Sequence, residues 1–150
     1  MLTWQTSDRQ ENHPGIHAWL ADQGPDNAIA PLNLDVMQHP WPINAASVDA
    51  VFSANTAHIM SWDGVMSMFD GVSQVLHEGG LFILYGPFKY NGRYTTEGNA
   101  GFDQWLKARD PNSGIRDFEA LQELAQQHGL ALYRDFAMPA NNRMLVWVKG

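Results

Sequence analysis

Three strand-length apolar runs in this chain each stop in a cluster of small and polar residues. The run at 48–53 meets Asn55-Thr56-Ala57-His58, the run at 81–85 meets Tyr85-Gly86-Pro87-Phe88, and the run at 130–136 meets Met138-Pro139-Ala140-Asn141-Asn142. Helix-length segments lie between the first two runs and ahead of the third. Short apolar strands alternating with amphipathic helices fold as an α/β sheet, mostly parallel. In an open sheet of that kind the ligand crevice lies outside the carboxyl ends of the strands. The three clusters are therefore where chemistry is expected.

The rest of the chain fills in around them. Leu2 to Thr6 reads as a first strand stopping at Ser7-Asp8, with a helix around Pro14 to Asp22 ended by Gly24-Pro25. Ile29 to Val36 is a second strand ending at Asp35, and Gln38-His39-Pro40-Trp41-Pro42 is a rigid loop. Val48 to Ser53 is short and apolar, as for a strand buried on both faces. Ser61 caps a helix with Val65, Met68, Phe69, Val72, Val75 and Leu76 on one face, ended by Glu78-Gly79-Gly80. Leu81 to Tyr85 is the fourth strand. Residues 86–116 read as a long Gly- and Asn-rich stretch with a short helix at Phe102 to Arg109. Asp117 caps a helix to Gln127 that buries Phe118, Leu121, Leu124 and Ala125, and Gly129 stops it. Leu130 to Phe136 and Met144 to Val148 are joined too closely to be parallel, so they form an antiparallel pair.

Composition narrows the classes. At 150 residues and 45% hydrophobic content, one domain with one core is expected. Nine Lys and Arg against sixteen Asp and Glu give a net charge of −7, and the scattered basic residues argue against a nucleic-acid partner or an anionic membrane surface. The absence of cysteine removes disulfides, thiol nucleophiles and thiolate metal sites, and points to a cytoplasmic setting. No apolar run reaches the roughly 18 residues of a membrane span. No dinucleotide fingerprint, phosphate loop or nucleophile elbow is present. The six histidines form no spaced ligand set, so no metal is expected.

The stretches Trp4-Gln5-Thr6-Ser7-Asp8, Pro31-Leu32-Asn33-Leu34-Asp35-Val36, Gly79-Gly80-Leu81-Phe82-Ile83-Leu84-Tyr85-Gly86-Pro87-Phe88, Arg109-Asp110-Pro111, Gly114-Ile115-Arg116-Asp117 and Met138-Pro139-Ala140-Asn141-Asn142 carry a resemblance. The chain resembles the class I, Rossmann-like methyltransferases that use S-adenosyl-L-methionine. Within them it is most similar to the small methyltransferase-like 26 family. The resemblance implies a mostly parallel sheet with a C-terminal antiparallel strand, in a single methyltransferase-like domain over residues 1–150. It also implies an N-terminal truncation: the first strand, glycine-rich loop and first helix of such a domain have no counterpart, because Met1-Leu2-Thr3-Trp4-Gln5 already reads as the second strand. Without that central strand two apolar edges are left open to a second copy or another edge-strand partner.

By the same resemblance Asp8 accepts the cofactor's ribose hydroxyls and Asp35, with Val36, meets the adenine; the plain alternative for each Asp is a turn cap. Trp41 reads as a core plug rather than an adenine stacker. Asn55 and His58 fall where such enzymes face the transferred methyl and the acceptor. Asn55 is assigned to both cofactor and catalysis, and His58 is a candidate general base against the alternative of a hydrogen-bonded structural histidine. Tyr85 is a candidate acceptor-orienting hydroxyl. Arg109, Asp110, Arg116 and Asp117 suggest an ion-paired lid, the first three as substrate contacts. Asn141 and Asn142 can each donate and accept, which suits a neutral polar substrate. The implied function is methyl transfer to a small molecule; the rival is a non-catalytic binding or assembly domain, or a fragment that does not bind the cofactor.

Overall fold

The computed structural model describes residues 2–150, which divide into two compact units, one running to Asn44 and the other spanning Ala45–Gly150.

In the first unit β1 (Trp4–Asp8) pairs in parallel with β2 (Ala28–Asn33), and a 3-10 turn and helix α1 (His13–Gln23) connect them. Pro14 sits in the first turn of α1, where a missing N–H costs nothing. The Gly24 N–H closes the helix on the Leu20 carbonyl at 3.0 Å. Strand β2 stops at Asn33, short of the expected Val36, so Asp35 and Val36 lie beyond it in a turn. Trp41 is buried, and its indole N–H donates to the Val36 carbonyl at 3.3 Å.

The second unit runs β3 (Val48–Ala54), α2 (Trp62–Val75), β4 (Leu76–Gly86), β5 (Phe88–Tyr90), β6 (Arg93–Tyr94), α3 (Glu97–Arg109), β7 (Arg116–Asp117), α4 (Phe118–Gln127), β8 (Leu130–Met138) and β9 (Asn142–Lys149). Its main sheet has the order β3-β4-β9-β8, with β3 and β4 parallel. Strand β9 enters antiparallel between β4 and β8, and the β8–β9 pair is antiparallel as expected. A small second sheet, β6-β5-β7, lies within the segment between β4 and α4.

The core forms on one face of the main sheet. Val65, Phe69 and Val72 of α2 are fully buried, as their helical spacing requires, together with Phe82, Leu84, Leu145 and Trp147 on the alternating face of β4 and β9. Phe69, Phe82 and Trp147 meet with ring centroids 5.1–5.7 Å apart. Each such ring contributes about 2 kcal/mol of burial, before packing geometry is counted. The Ser61 hydroxyl accepts the Gly64 N–H at 3.1 Å at the start of α2. Ser61→Ala is therefore expected to cost about 1 kcal/mol in urea unfolding.

Four expectations are corrected. Helix α2 ends at Val75 rather than at Glu78-Gly79-Gly80. Leu76 is already extended, and the glycine pair lies inside β4, where the register slips so that Leu76 and Leu81 pair with Val48 and Ala50. Strand β3 is not buried on both faces: it is the end strand of its sheet, and Phe52 is 44% exposed. Residues 86–116 are mostly structured, with α3 starting five residues before Phe102 because the Thr96 hydroxyl caps it by accepting the Asn99 N–H. Asp117 precedes α4 without capping it through its side chain; its Oδ1 lies 3.8 Å from Lys89 Nζ. Among the described residues no helix is long and apolar enough to cross a membrane.

Candidate functional site

The register of the second unit brings three chain segments to one end of the sheet. Tyr85 pairs with Ala54 and Gly86 with Arg143, so the segments after β3 and β4 and the β8–β9 turn share the carboxyl end of β4. A cavity of about 530 Å³ opens there. Asn55, His58 and Pro87 line it from the segments after β3 and β4. Gly98, Asn99 and Phe102 contribute from α3, and Ala140, Asn141 and Asn142 from the β8–β9 turn.

Local backbone geometry sets these side chains. Asn55 takes φ +58° immediately after β3, and its N–H donates to the Tyr85 carbonyl at 2.9 Å. Ala140 and Asn141 take φ +60° and +63°, closing the tight β8–β9 connection. Asparagine tolerates this left-handed region better than most residues.

His58 is 5% exposed, and its imidazole has no hydrogen-bond partner among the described residues. The ring lies edge-on to Phe102, with centroids 5.5 Å apart. Burial, and then the nearby Arg116 charge, push its pKa below the ordinary 6.5, so the ring is neutral at pH 7.

The segment carrying His58 is pinned from the other side. The Gly114 N–H donates to the His58 carbonyl at 2.9 Å. Arg116 donates through Nε to Ala57 and through Nη2 to Met60 and Asn112, all backbone carbonyls. Asp103 anchors this second loop: it is 1% exposed and accepts from the Ile115 N–H at 2.8 Å, from Lys107 Nζ at 2.8 Å and from the Tyr94 hydroxyl. Gly114 has φ +150°, and a Cβ there would come within 3.0 Å of Asp103 Oδ1, so the anchor requires glycine.

Of the sequence candidates, Asn55, His58, Asn141 and Asn142 converge on the cavity, whereas Tyr85, Arg109 and Asp110 do not line it. Tyr85 is half-buried within β4. Arg109 ends α3 and lies over the Trp105 ring at 4.6 Å, and Asp110 accepts the Asn112 N–H. Arg116 lines a separate cavity of about 270 Å³ with Lys89 and Lys107. Among the described residues, Arg109, Asp110, Arg116 and Asp117 make no ion pair with one another. The loop is shaped by backbone hydrogen bonds instead of the expected charge network. Sequence reasoning missed Asn99, Phe102 and Asp103; the one available signal was Thr96-Glu97, a cap followed by an acidic first turn.

In the first unit, Asp8 ends β1. Its Oδ1 accepts from the Arg9 N–H at 2.7 Å and from Asn12 at 3.0 Å, and its other oxygen has no partner among the described residues. Asp35 accepts the Met37 N–H at 2.9 Å through Oδ1 and likewise keeps a second oxygen. Among the described residues no group of three or more His, Cys, Asp or Glu could hold a metal ion.

A family model described as Protein of unknown function (DUF938) matches residues 1–149. Among solved structures, an O-methyltransferase family protein from Burkholderia thailandensis aligns with a TM-score of 0.82 and 12% identity, over 99% of this chain and 44% of its own. An O-methyltransferase family 2 protein from Planctomyces limnophilus DSM 3776, solved with apigenin, gives 0.83 and 17% over 99% and 43%. The O-methyltransferase NcsB1 from neocarzinostatin biosynthesis, solved with S-adenosylmethionine and 2-hydroxy-5-methyl naphthoic acid, gives 0.78 and 16% over 99% and 42%. The likeness is one of fold, the Rossmann-like methyltransferase α/β fold, and the chain spans less than half the length of each of these proteins.

Proposed function

This chain belongs to the DUF938 family, and from that premise we propose that it is a class I methyltransferase of the methyltransferase-like 26 type, one methyltransferase-like domain acting on a small molecule. The observation that carries the reading is the imidazole of His58, buried, neutral and without a hydrogen-bond partner among the described residues, on the wall of a cavity at the carboxyl end of the sheet. The shared fold supports it.

The donor chemistry fits S-adenosyl-L-methionine. Asp8 and Asp35 each keep an uncommitted carboxylate oxygen, an acceptor suited to ribose hydroxyls and to the adenine amine respectively, with Val36 beside the second. When bound, that cofactor supplies an electrophilic sulfonium methyl. The chain's own part is to hold the acceptor and its proton. Asn55, Asn141 and Asn142 orient the acceptor through their carboxamides. Neutral His58 takes the proton from the acceptor's hydroxyl or amine.

Calorimetric titration with S-adenosylhomocysteine tests the reading. Saturable micromolar binding is expected, weakened at least tenfold by Asp8→Ala. A folded chain that does not bind would turn the assignment to a non-catalytic assembly domain. One observation favours that second reading: β3 is the end strand of its sheet, an edge suited to a second copy or another strand-bearing partner.

A further inference from the structure

The geometry points to an uncharged planar ring bearing an amide or lactam edge as the occupant of the cavity beside His58; this rests on reading that cavity as the methyl-acceptor site. Among the described residues no Lys, Arg, Asp or Glu lines it. An ion entering such a space would give up part of its hydration without a countercharge in direct contact. The basic side chains of this region, Lys89, Lys107 and Arg116, line the other cavity.

Besides His58, four carboxamides supply the polar side chains of the lining. Asn99 is 6% exposed and spends its amide nitrogen on Thr95 Oγ1 at 3.1 Å and the Asn141 carbonyl at 3.3 Å. Its side-chain oxygen is left as an acceptor without a donor among the described residues, which a ligand N–H can satisfy. Asn142 likewise spends its nitrogen on the Pro139 carbonyl at 3.2 Å and keeps its oxygen. Asn55 and Asn141 make no side-chain hydrogen bond to the described residues, so each offers a donor and an acceptor together. A carboxamide meets such a paired edge with two hydrogen bonds, as asparagine does on the edge of adenine.

Planarity follows from Phe102. Its ring stacks on Trp105 at 5.9 Å and stands edge-on to His58 at 5.5 Å, so its orientation is held from two sides. An aromatic wall held in this way favours a flat partner over a flexible polyol.

Benzamide, benzoate and benzamidine have nearly the same shape and differ in charge. Each is titrated into the full chain while the ring resonances of His58 are followed by NMR, without cofactor. Benzamide is expected to shift His58 saturably and to bind at least about tenfold tighter than either ion. Asn142→Asp is expected to move the preference toward benzamidine. Equal or tighter binding of benzoate or benzamidine to the unmodified chain, or no shift of His58 with any of the three, overturns the inference. Selective benzamide binding in a chain that ignores S-adenosylhomocysteine would keep the ligand class and remove methyl transfer.

Discussion

Replacing His58 by Gln is expected to lower the proposed methyl transfer by roughly 10²- to 10⁴-fold, the usual worth of a positioned general base, with S-adenosylhomocysteine binding and unfolding midpoint nearly unchanged. Glutamine keeps a polar side chain of similar reach but cannot take up a proton near neutrality. The pH profile separates this role from a merely structural one. Burial, and then Arg116, lower the His58 pKa, so the base stays neutral and competent below the 6.5 of a free imidazole. The acidic limb of kcat/KM, which reports the free enzyme, therefore lies below 6.5 in the parent and is absent in the variant. The same shift acts on stability. Above pH 6.5 both folded and unfolded chains hold a neutral ring and nothing changes. As pH falls below 6.5 the unfolded chain binds a proton that the folded chain resists, so stability declines toward the lowered folded pKa. Parental kcat in the His58→Gln variant would end the case for a base here.

Asp103→Ala is expected to cost about 3 kcal/mol in chemical denaturation, because a buried N–H loses its acceptor and Lys107 loses its charged partner. The Ile115 N–H is the decisive loss, since Ile115 is 3% exposed while Lys107 can turn to solvent. Two further readouts identify the cause. The hydrogen bond to Asp103 pushes the Tyr94 hydroxyl up to about 12, so its ultraviolet titration should move down in the variant. Burial pushes the Asp103 carboxyl up, but Lys107, Tyr94 and the Ile115 N–H outweigh it and hold it below its ordinary value. Its contribution is therefore complete above the unfolded pKa of about 4 and lost as pH falls through the lowered one. Activity should fall too, because Gly114 and Arg116 hold the segment of His58 from the loop that Asp103 anchors. Parental stability in the Asp103→Ala variant would refute the anchor.

The contrast between two helices explains what could be read from residues alone. In α2 the buried stripe is Val65, Met68, Phe69, Val72 and Val75, so the 3.6-residue period is written in apolar side chains. In α3 the buried positions are Asn99, Asp103 and Leu106, the same spacing with polar members, and the hydrophobic pattern is silent over its first turns. The polar strand ends were legible because a parallel β3–β4 pair and a tight β8–β9 turn place them together by connectivity. The partners of Arg116 were not: its acceptors Ala57 and Met60 lie 59 and 56 residues away, and nothing local marks them.

The order of the long strands and of α1, α2 and α4, the antiparallel end of the sheet and the polar strand ends carrying Asn55, His58, Asn141 and Asn142 were thus legible in the residues, through period, turn chemistry and chain direction, whereas β5 to β7 and the start of α3 were not. The insertion of β9 between β4 and β8, the end position of β3, the buried carboxylate under the 113–116 loop and the uncharged character of the cavity were decided only by tertiary structure. The physical reason is range. Backbone periodicity is a property of neighbours in the chain, whereas burial, hydrogen-bond partners and local charge are properties of neighbours in space.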